Sequence, residues 1–185
     1  MIGAASPVLT IRTARRDDIP TLNDLIARSA RGLSHGYYNA AETETAIRKV
    51  FGVDSRLIED GTYYCITNGD GQPVACGGWS RRATLFGGDQ AGGRTDRLLS
   101  PATEAARIRA FFVAPECARQ GVGRMLLNHC IAAASAEGFT ALALMATLPG
   151  VPFYARHGFV AGEEQLFDHD GVTLRFVPMR RPIGE

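Results

Sequence analysis

The sequence predicts an α/β fold on a mixed β-sheet, and three observations carry that prediction. Apolar spacing alternates between the two-residue repeat of strands and the 3.6-residue repeat of helices, in the order β-α-α-β-β-β-α-β-α-β-β. The stretch "GTYYCITNGDGQPVACGGWSRR" sets two β-rich runs on either side of Asn68, Gly69, Asp70 and Gly71, a hairpin signature. Finally "ARIRAFFV", a strand apolar on both faces at its end, leads through a glycine-bearing turn into the helical run "CARQGVGRMLL".

The elements follow in order. Residues 8–14 alternate as a strand. Asp17 or Asp18 caps a helix through Ile19, Leu22, Leu25 and Ile26 that ends near Gly32. A turn, "RGLSHGYYNAAE", precedes a second helix over 39–50. The hairpin occupies 62–67 and 74–80. Residues 83–101 turn glycine-rich and polar, a long loop of the kind that is usually mobile or functional in a compact domain. A strand over 106–113 stops at Pro115. The next helix carries Val122, Met125, Leu126, Cys130, Ala133 and Ala134 on one stripe and closes at Glu137-Gly138. A buried strand over 139–147, a short helix ending at Gly158, and two closing strands in "FVAGEEQLF" and "VTLRFVPMRR" complete the chain.

With 185 residues there is material for one well-cored domain, placed at 8–181, with a flexible N-terminus at 1–7, a tail at 182–185 and 83–101 as a loop insertion. Apolar residues make up 45% and charged residues 21%, the balance of an ordinary globular protein. A net charge of +1 supplies no global field, so nucleic acid and anionic membranes are not expected partners. Any bound anion must be held by a local device. Cys65, Cys76, Cys117 and Cys130 form no Cys-x-x-Cys pair, so reduced thiols are expected rather than a metal site or disulfides. Cys117 is the thiol whose place near a positive loop would lower its pKa. No secretory leader and no bilayer-spanning run is legible, and a cytoplasmic location is expected.

The glycines at 121 and 123 need a reason, because glycine in a helix is less stable than alanine. A strand, a loop ending in Gly-x-Gly and a helix place unpaired N–H groups at the positive end of a helix dipole. Gly121 and Gly123 then remove the Cβ atoms that would hold off a bulky anion, and Arg119 and Arg124 add charge from the rim. A phosphate or pyrophosphate fits that device. The alternative, a tight turn that needs glycine only for packing, explains the flanking arginines less well. No Gly-x-x-x-x-Gly-Lys-[Ser/Thr] string exists. Leu126 stands where a dinucleotide fold wants its third glycine, and the following strand, "ALALM", lacks the acidic residue that holds a ribose.

"IRAFFVAPECARQGVGRMLL" resembles the acetyl-CoA-binding motif of the GNAT acetyltransferase superfamily, and "MATLPGVPFYARHGF" resembles that family's next motif, with Tyr154 to Phe159 as Tyr-x-x-x-Gly-Phe. The resemblance implies a three-layer fold with a mixed, mostly antiparallel sheet of about six to seven strands flanked by helices. It also implies acetyl-CoA as co-substrate, no metal, and direct transfer to a primary amine of a small molecule or peptide. By that resemblance Phe111, Phe112 and Val113 pair with the pantetheine arm, and the backbone of Gln120, Gly121, Val122, Gly123, Arg124 and Met125, with Arg119 beside it, holds the diphosphate. Tyr154 is the matched general acid. The sequence departs from the family's pattern in three places. Ala118 stands where the family has Arg or Gln, Thr147 where it often has Asn, and the strand offers Arg107 and Arg109 instead of a carboxylate base. Glu104, His35 or a water chain are the candidate bases. His35, Tyr37, Tyr38 and Trp79 are candidate acceptor-side residues, 83–101 a candidate lid, and the sheet edges an opening for a homodimer. The competing reading is a CoA-binding sensor or interaction module that has lost catalysis.

Overall fold

The structure, a computed structural model, describes residues 8–184, so the N-terminal segment expected to be flexible lies outside the described residues. The strands are β1 (Thr10–Thr13), β2 (Tyr63–Thr67), β3 (Pro73–Ser80), β4 (Ala106–Val113), β5 (Ala141–Thr147), β6 (Val160–Ala161), β7 (Gln165–His169) and β8 (Val172–Pro182). They form one sheet in the order β1-β2-β3-β4-β5-β8, with β6 and β7 both pairing β8. Only β4 and β5 run parallel; the other pairs are antiparallel.

Eight strands stand where about six to seven were expected, because the run after Gly158 divides. β6 pairs Arg180 and Met179 of β8, whereas β7 pairs Val172 to Phe176. Between them sits Pro178, which has no N–H for the ladder. The Gly162 amide instead donates to the Pro178 carbonyl at 2.8 Å. The last strand also runs to Pro182, one residue into the expected tail.

Helix α1 (Ile19–Leu33) buries Leu22, Leu25, Ile26, Ser29 and Ala30 at the spacing the sequence shows. Its Gly32 passes so close to Pro115 that an added Cβ would lie 2.4 Å from the ring. Helix α2 (Ala40–Lys49) begins in a capping box: Asn39 Oδ1 accepts from the Glu42 amide at 2.8 Å, and Glu42 accepts from the Asn39 amide at 2.7 Å. A helix that periodicity could not reveal, α3 (Ser55–Glu59), has five residues and is capped by Asp54. Helices α4 (Val122–Ala136) and α5 (Val151–Arg156) complete the set.

Adjacent residues of β4 show the layering. Phe112 meets Phe51, just after α2, with ring centroids 5.4 Å apart. Phe111 points the opposite way, to Phe153 and Tyr154 of α5 at 5.9 and 6.1 Å. Helices α1 and α2 therefore cover one face, and α4 and α5 the other. The core runs on both sides of β3 and β4, with Trp79, Tyr63, Leu126, Leu127 and Leu142 fully buried.

Candidate active site

The site begins where the sheet opens. β4 and β5 pair only at Ala106↔Leu142 and Arg107↔Ala143. From Ile108 to Val113 the edge of β4 that faces β5 has no strand partner among the described residues. β4 also bulges there: Gly78 pairs Arg109, but Cys76 pairs Phe112, so one extra residue is taken up on β4. Ala110 carries the distortion at φ 46°, rare for a residue with a side chain. The Tyr63 hydroxyl pins it by donating to the Ala110 carbonyl at 2.8 Å. Opposite lie Gly77 and Gly78. A Cβ on Gly77 would stand 2.7 Å from the Phe111 ring, and one on Gly78 2.2 Å from the Thr62 carbonyl oxygen. Two adjacent glycines in a strand are a signal of such close approach.

The chain then passes a 3-10 turn (Pro115–Cys117) and reaches α4. Arg119 at φ 62° and Gly121 at φ 85° both take left-handed conformations. The two glycines of the motif do different work. Gly121 is the N-cap and faces open space, as a residue near a ligand would. Gly123 is a packing glycine, because an added Cβ would stand 3.2 Å from Phe153 and 3.6 Å from Val113. The expectation that both clear room for an anion is corrected accordingly. The Met125 amide already donates to the Gly121 carbonyl at 3.0 Å, which removes it from the expected set. The amides of Val122, Gly123 and Arg124 occupy the first turn of α4, where intrahelical acceptors are lacking. The Val122 side chain is buried, that of Met125 packs on the core, and that of Gln120 donates back to the Glu116 carbonyl at 2.7 Å. Cys117, half-buried, has its thiol pKa raised by burial and then by Glu116, opposite to the expected lowering.

One continuous cavity of about 850 Å³ joins these parts. Phe111, Phe112, Val113, Arg119, Gln120, Gly121, Gly123, Arg124, Tyr154 and Tyr37 all border it. Tyr154 is 7% exposed, and its hydroxyl makes no hydrogen bond among the described residues. Burial, and then the Cys130 thiol, push the phenol well above its ordinary pKa, so it stays protonated. Thr147, where the family often has Asn, also lines the cavity.

Four expected residues lie elsewhere. Trp79 is 1% exposed in the core against Phe139. Tyr38 is a strut: its hydroxyl donates to the Arg175 carbonyl at 2.6 Å and accepts from the Leu148 amide at 2.9 Å, and burial raises its pKa to about 12. His35 is exposed and outside the cavity. Glu104 is bound by Arg97 at 2.8 and 3.0 Å and by the Ser100 amide at 2.9 Å, contacts that lower its pKa to about 2. A carboxylate so held and so placed cannot serve as the base.

The far wall of the cavity is one the sequence did not disclose. Leu85, Phe86, Gly87 and Gly88, from the expected insertion, border the cavity with Phe51, Gly52 and Phe176. A buried cation fixes that wall. Arg109 of β4 donates to the Thr84 carbonyl at 3.1 Å, the Gly87 carbonyl at 2.6 Å and Asp54 at 2.9 Å. Arg94 bonds Asp54 at 3.0 Å and Asp89 at 2.8 Å. The amides of Gly88 and Asp89 donate to the carbonyls of Val50 and Val53. The segment expected as a lid is thus anchored along 84–94. Of the two arginines in this apolar strand, Arg109 is the buried one. Among the described residues no cluster of His, Cys, Asp or Glu could hold a metal ion, and no helix is long and apolar enough to cross a membrane.

Residues 97–182 match the acetyltransferase (GNAT) domain family. No curated protein matches the chain. Among solved structures, a GCN5-related N-acetyltransferase from Rhodopseudomonas palustris is similar at TM-score 0.68 and 18% identity, over 98% of this chain and 99% of that one. PaiA N-acetyltransferase from Thermoplasma acidophilum, in complex with coenzyme A, is similar at 0.63 and 16%, over 95% and 99%. N-acetylglutamate synthase from Neisseria gonorrhoeae, complexed with coenzyme A and N-acetyl-glutamate, is similar at 0.56 and 18%, over 98% of this chain and 37% of that one. With a sheet splayed between β4 and β5 and a helix N-terminus beneath it, the chain has the fold of these N-acetyltransferases, and its residues 97–182 match the GNAT acetyltransferase domain.

Proposed function

We propose that the protein is an N-acetyltransferase that moves an acetyl group from acetyl-CoA directly to a primary amine. The observation that carries this reading is the continuity of one cavity, from the helix N-terminus at Gly121, along the unpaired edge of β4, to Tyr154. The first-turn amides of α4, with Arg119 and Arg124, suit the diphosphate of CoA. The open edge of β4 offers backbone groups to the amides of a pantetheine arm, as an added strand would. Two of the similar proteins are CoA complexes, which supports that pairing. The four free thiols suit a reducing, cytoplasmic setting.

In the reaction the amine nitrogen attacks the thioester carbonyl and a C–N bond forms. Its oxyanion accepts a hydrogen bond from an N–H near Val113, on the edge of β4 that has no strand partner among the described residues. The C–S bond breaks as the tetrahedral centre collapses, and Tyr154 gives its proton to the departing CoA thiolate. The amine's proton leaves to water, and Tyr154 is reprotonated from solvent. Burial keeps Tyr154 in the acid form that this step needs.

Tyr154→Phe tests the assignment. Release of CoA thiol should fall severalfold or more, while calorimetric affinity for acetyl-CoA stays unchanged. Unchanged turnover removes Tyr154 from the chemistry. Binding of acetyl-CoA without thiol release from any amine would mark a CoA-binding module that has lost catalysis. No binding heat at all defeats both readings.

A further inference from the structure

We infer that the acceptor is an apolar primary monoamine, carried on an alkyl or aryl body with no second positive charge. The inference rests on the transfer reading above and names the substrate class of that same cavity.

Its walls carry the argument. On the acceptor side stand Phe51, Phe86 and Phe176, with ring centroids 6.1 Å apart for Phe51–Phe176 and 5.8 Å for Phe86–Phe176. Phe112 extends the patch from β4, and Tyr37 closes it from the turn after α1. These rings gain by removing hydrocarbon from water, and to a cation they offer only their faces, with no carboxylate beside them.

The ionisable lining points the same way. Apart from the phenols of Tyr37 and Tyr154, the ionisable side chains on the cavity are Arg109, Arg119, Arg124, Arg156 and His157, and none of the described lining residues is a carboxylate. Arg119 and Arg124 belong to the anion loop. His157 stacks on Phe153, the ring that abuts Gly123, so it stands at that same end of the cavity. Arg109 lies between the bulge and the aromatic wall. The carboxylate behind it, Asp54, is buried and already bound by two guanidiniums, so it has no charge to spare for a ligand.

A polyamine in this cavity would bring a second ammonium among arginines and phenyl rings without a counter-charge. An unpaired buried charge is among the most unfavourable contacts a protein can make. A monoamine escapes that cost, because its one nitrogen is uncharged when it attacks. The shared volume of about 850 Å³ also has to hold the pantetheine arm, which leaves room for a small body rather than a long polycation.

The test compares pentylamine with cadaverine, which differ only in the second ammonium, and phenethylamine with the triamine spermidine, each assayed with acetyl-CoA by thiol release. The expected result is a kcat/KM for each monoamine at least tenfold above that of its polycationic counterpart, roughly independent of salt. Equal rates, or a preference for cadaverine and spermidine, overturn this inference while leaving the transfer reading intact. Thiol release from some other amine but from none of these four overturns this inference alone, whereas retained CoA binding with no release from a broad amine panel removes the transfer reading and this inference with it.

Discussion

Substituting Asp54 by Asn probes the anchor of the far cavity wall. Asparagine keeps the shape of the side chain and an oxygen for the Arg56 amide, but removes the charge that two guanidiniums face. Arg109 and Asp54 are each 2% exposed. Removing one partner of so buried a pair costs about 3–5 kcal/mol, because the charge left behind has neither water nor counter-ion. A surface pair would contribute about 1 kcal/mol or less. Arg94 adds little to the loss, since it keeps Asp89 at 2.8 Å. Domains of this size are stable by about 5–15 kcal/mol, so the change consumes a large fraction of the total. Urea unfolding of Asp54→Asn, Arg109→Met and the double variant measures it, and hydrogen exchange at the Gly88 and Asp89 amides reports the wall itself. The double variant should cost less than the two single losses added, with an interaction energy of about 2–3 kcal/mol, because the stranded cation is gone. A loss below about 1 kcal/mol for Asp54→Asn, with both amides still protected, would refute the anchor.

Two further outcomes follow from corrected residues. Tyr38→Phe strips a hydroxyl from the Arg175 carbonyl and the Leu148 amide and should lower unfolding stability by about 1–3 kcal/mol. Turnover of the folded fraction should stay near wild type, and a fall in turnover without loss of stability would return Tyr38 to the acceptor site. Glu104 has its pKa lowered from 4.5 to about 2 by Arg97 and the Ser100 amide. Its contribution is therefore full above about pH 4.5 and lost as pH falls toward 2. Exchange protection of the Ser100 amide should decline across that window in the wild type, and Glu104→Gln should show the low-pH behaviour already at pH 7; an identical profile in both proteins would sink the assignment.

Much of the fold was legible because it is written in local periodicity. The hairpin, α1, α4 and all of β4 fall close to where alternation, capping residues and glycines place them. Helix α3 was not legible, since five residues hold too little of a 3.6-residue repeat to distinguish it from a loop. The split between β6 and β7 depends on a proline across the ladder, which no run of residues 159–167 reveals. In the site, the string "RQGVGR" located the turn into α4, but not that Gly121 and Gly123 act differently. That distinction needed the position of Phe153, thirty residues on.

By itself the sequence determined the glycine turn into α4, the strand that leads into it and the tyrosine that follows, because each is a short-range pattern whose physics acts within a few residues. Only the tertiary structure decided which side chains share the cavity. It buried Trp79, employed Tyr38 as a strut, removed Glu104, and built the far wall from residues 85–88, held to Arg109 and Asp54 from two other segments. The reason is physical: a cavity is bounded by residues distant in the chain, and the hydrogen bonds and buried charges that fix them exist only once the sheet has brought those segments together.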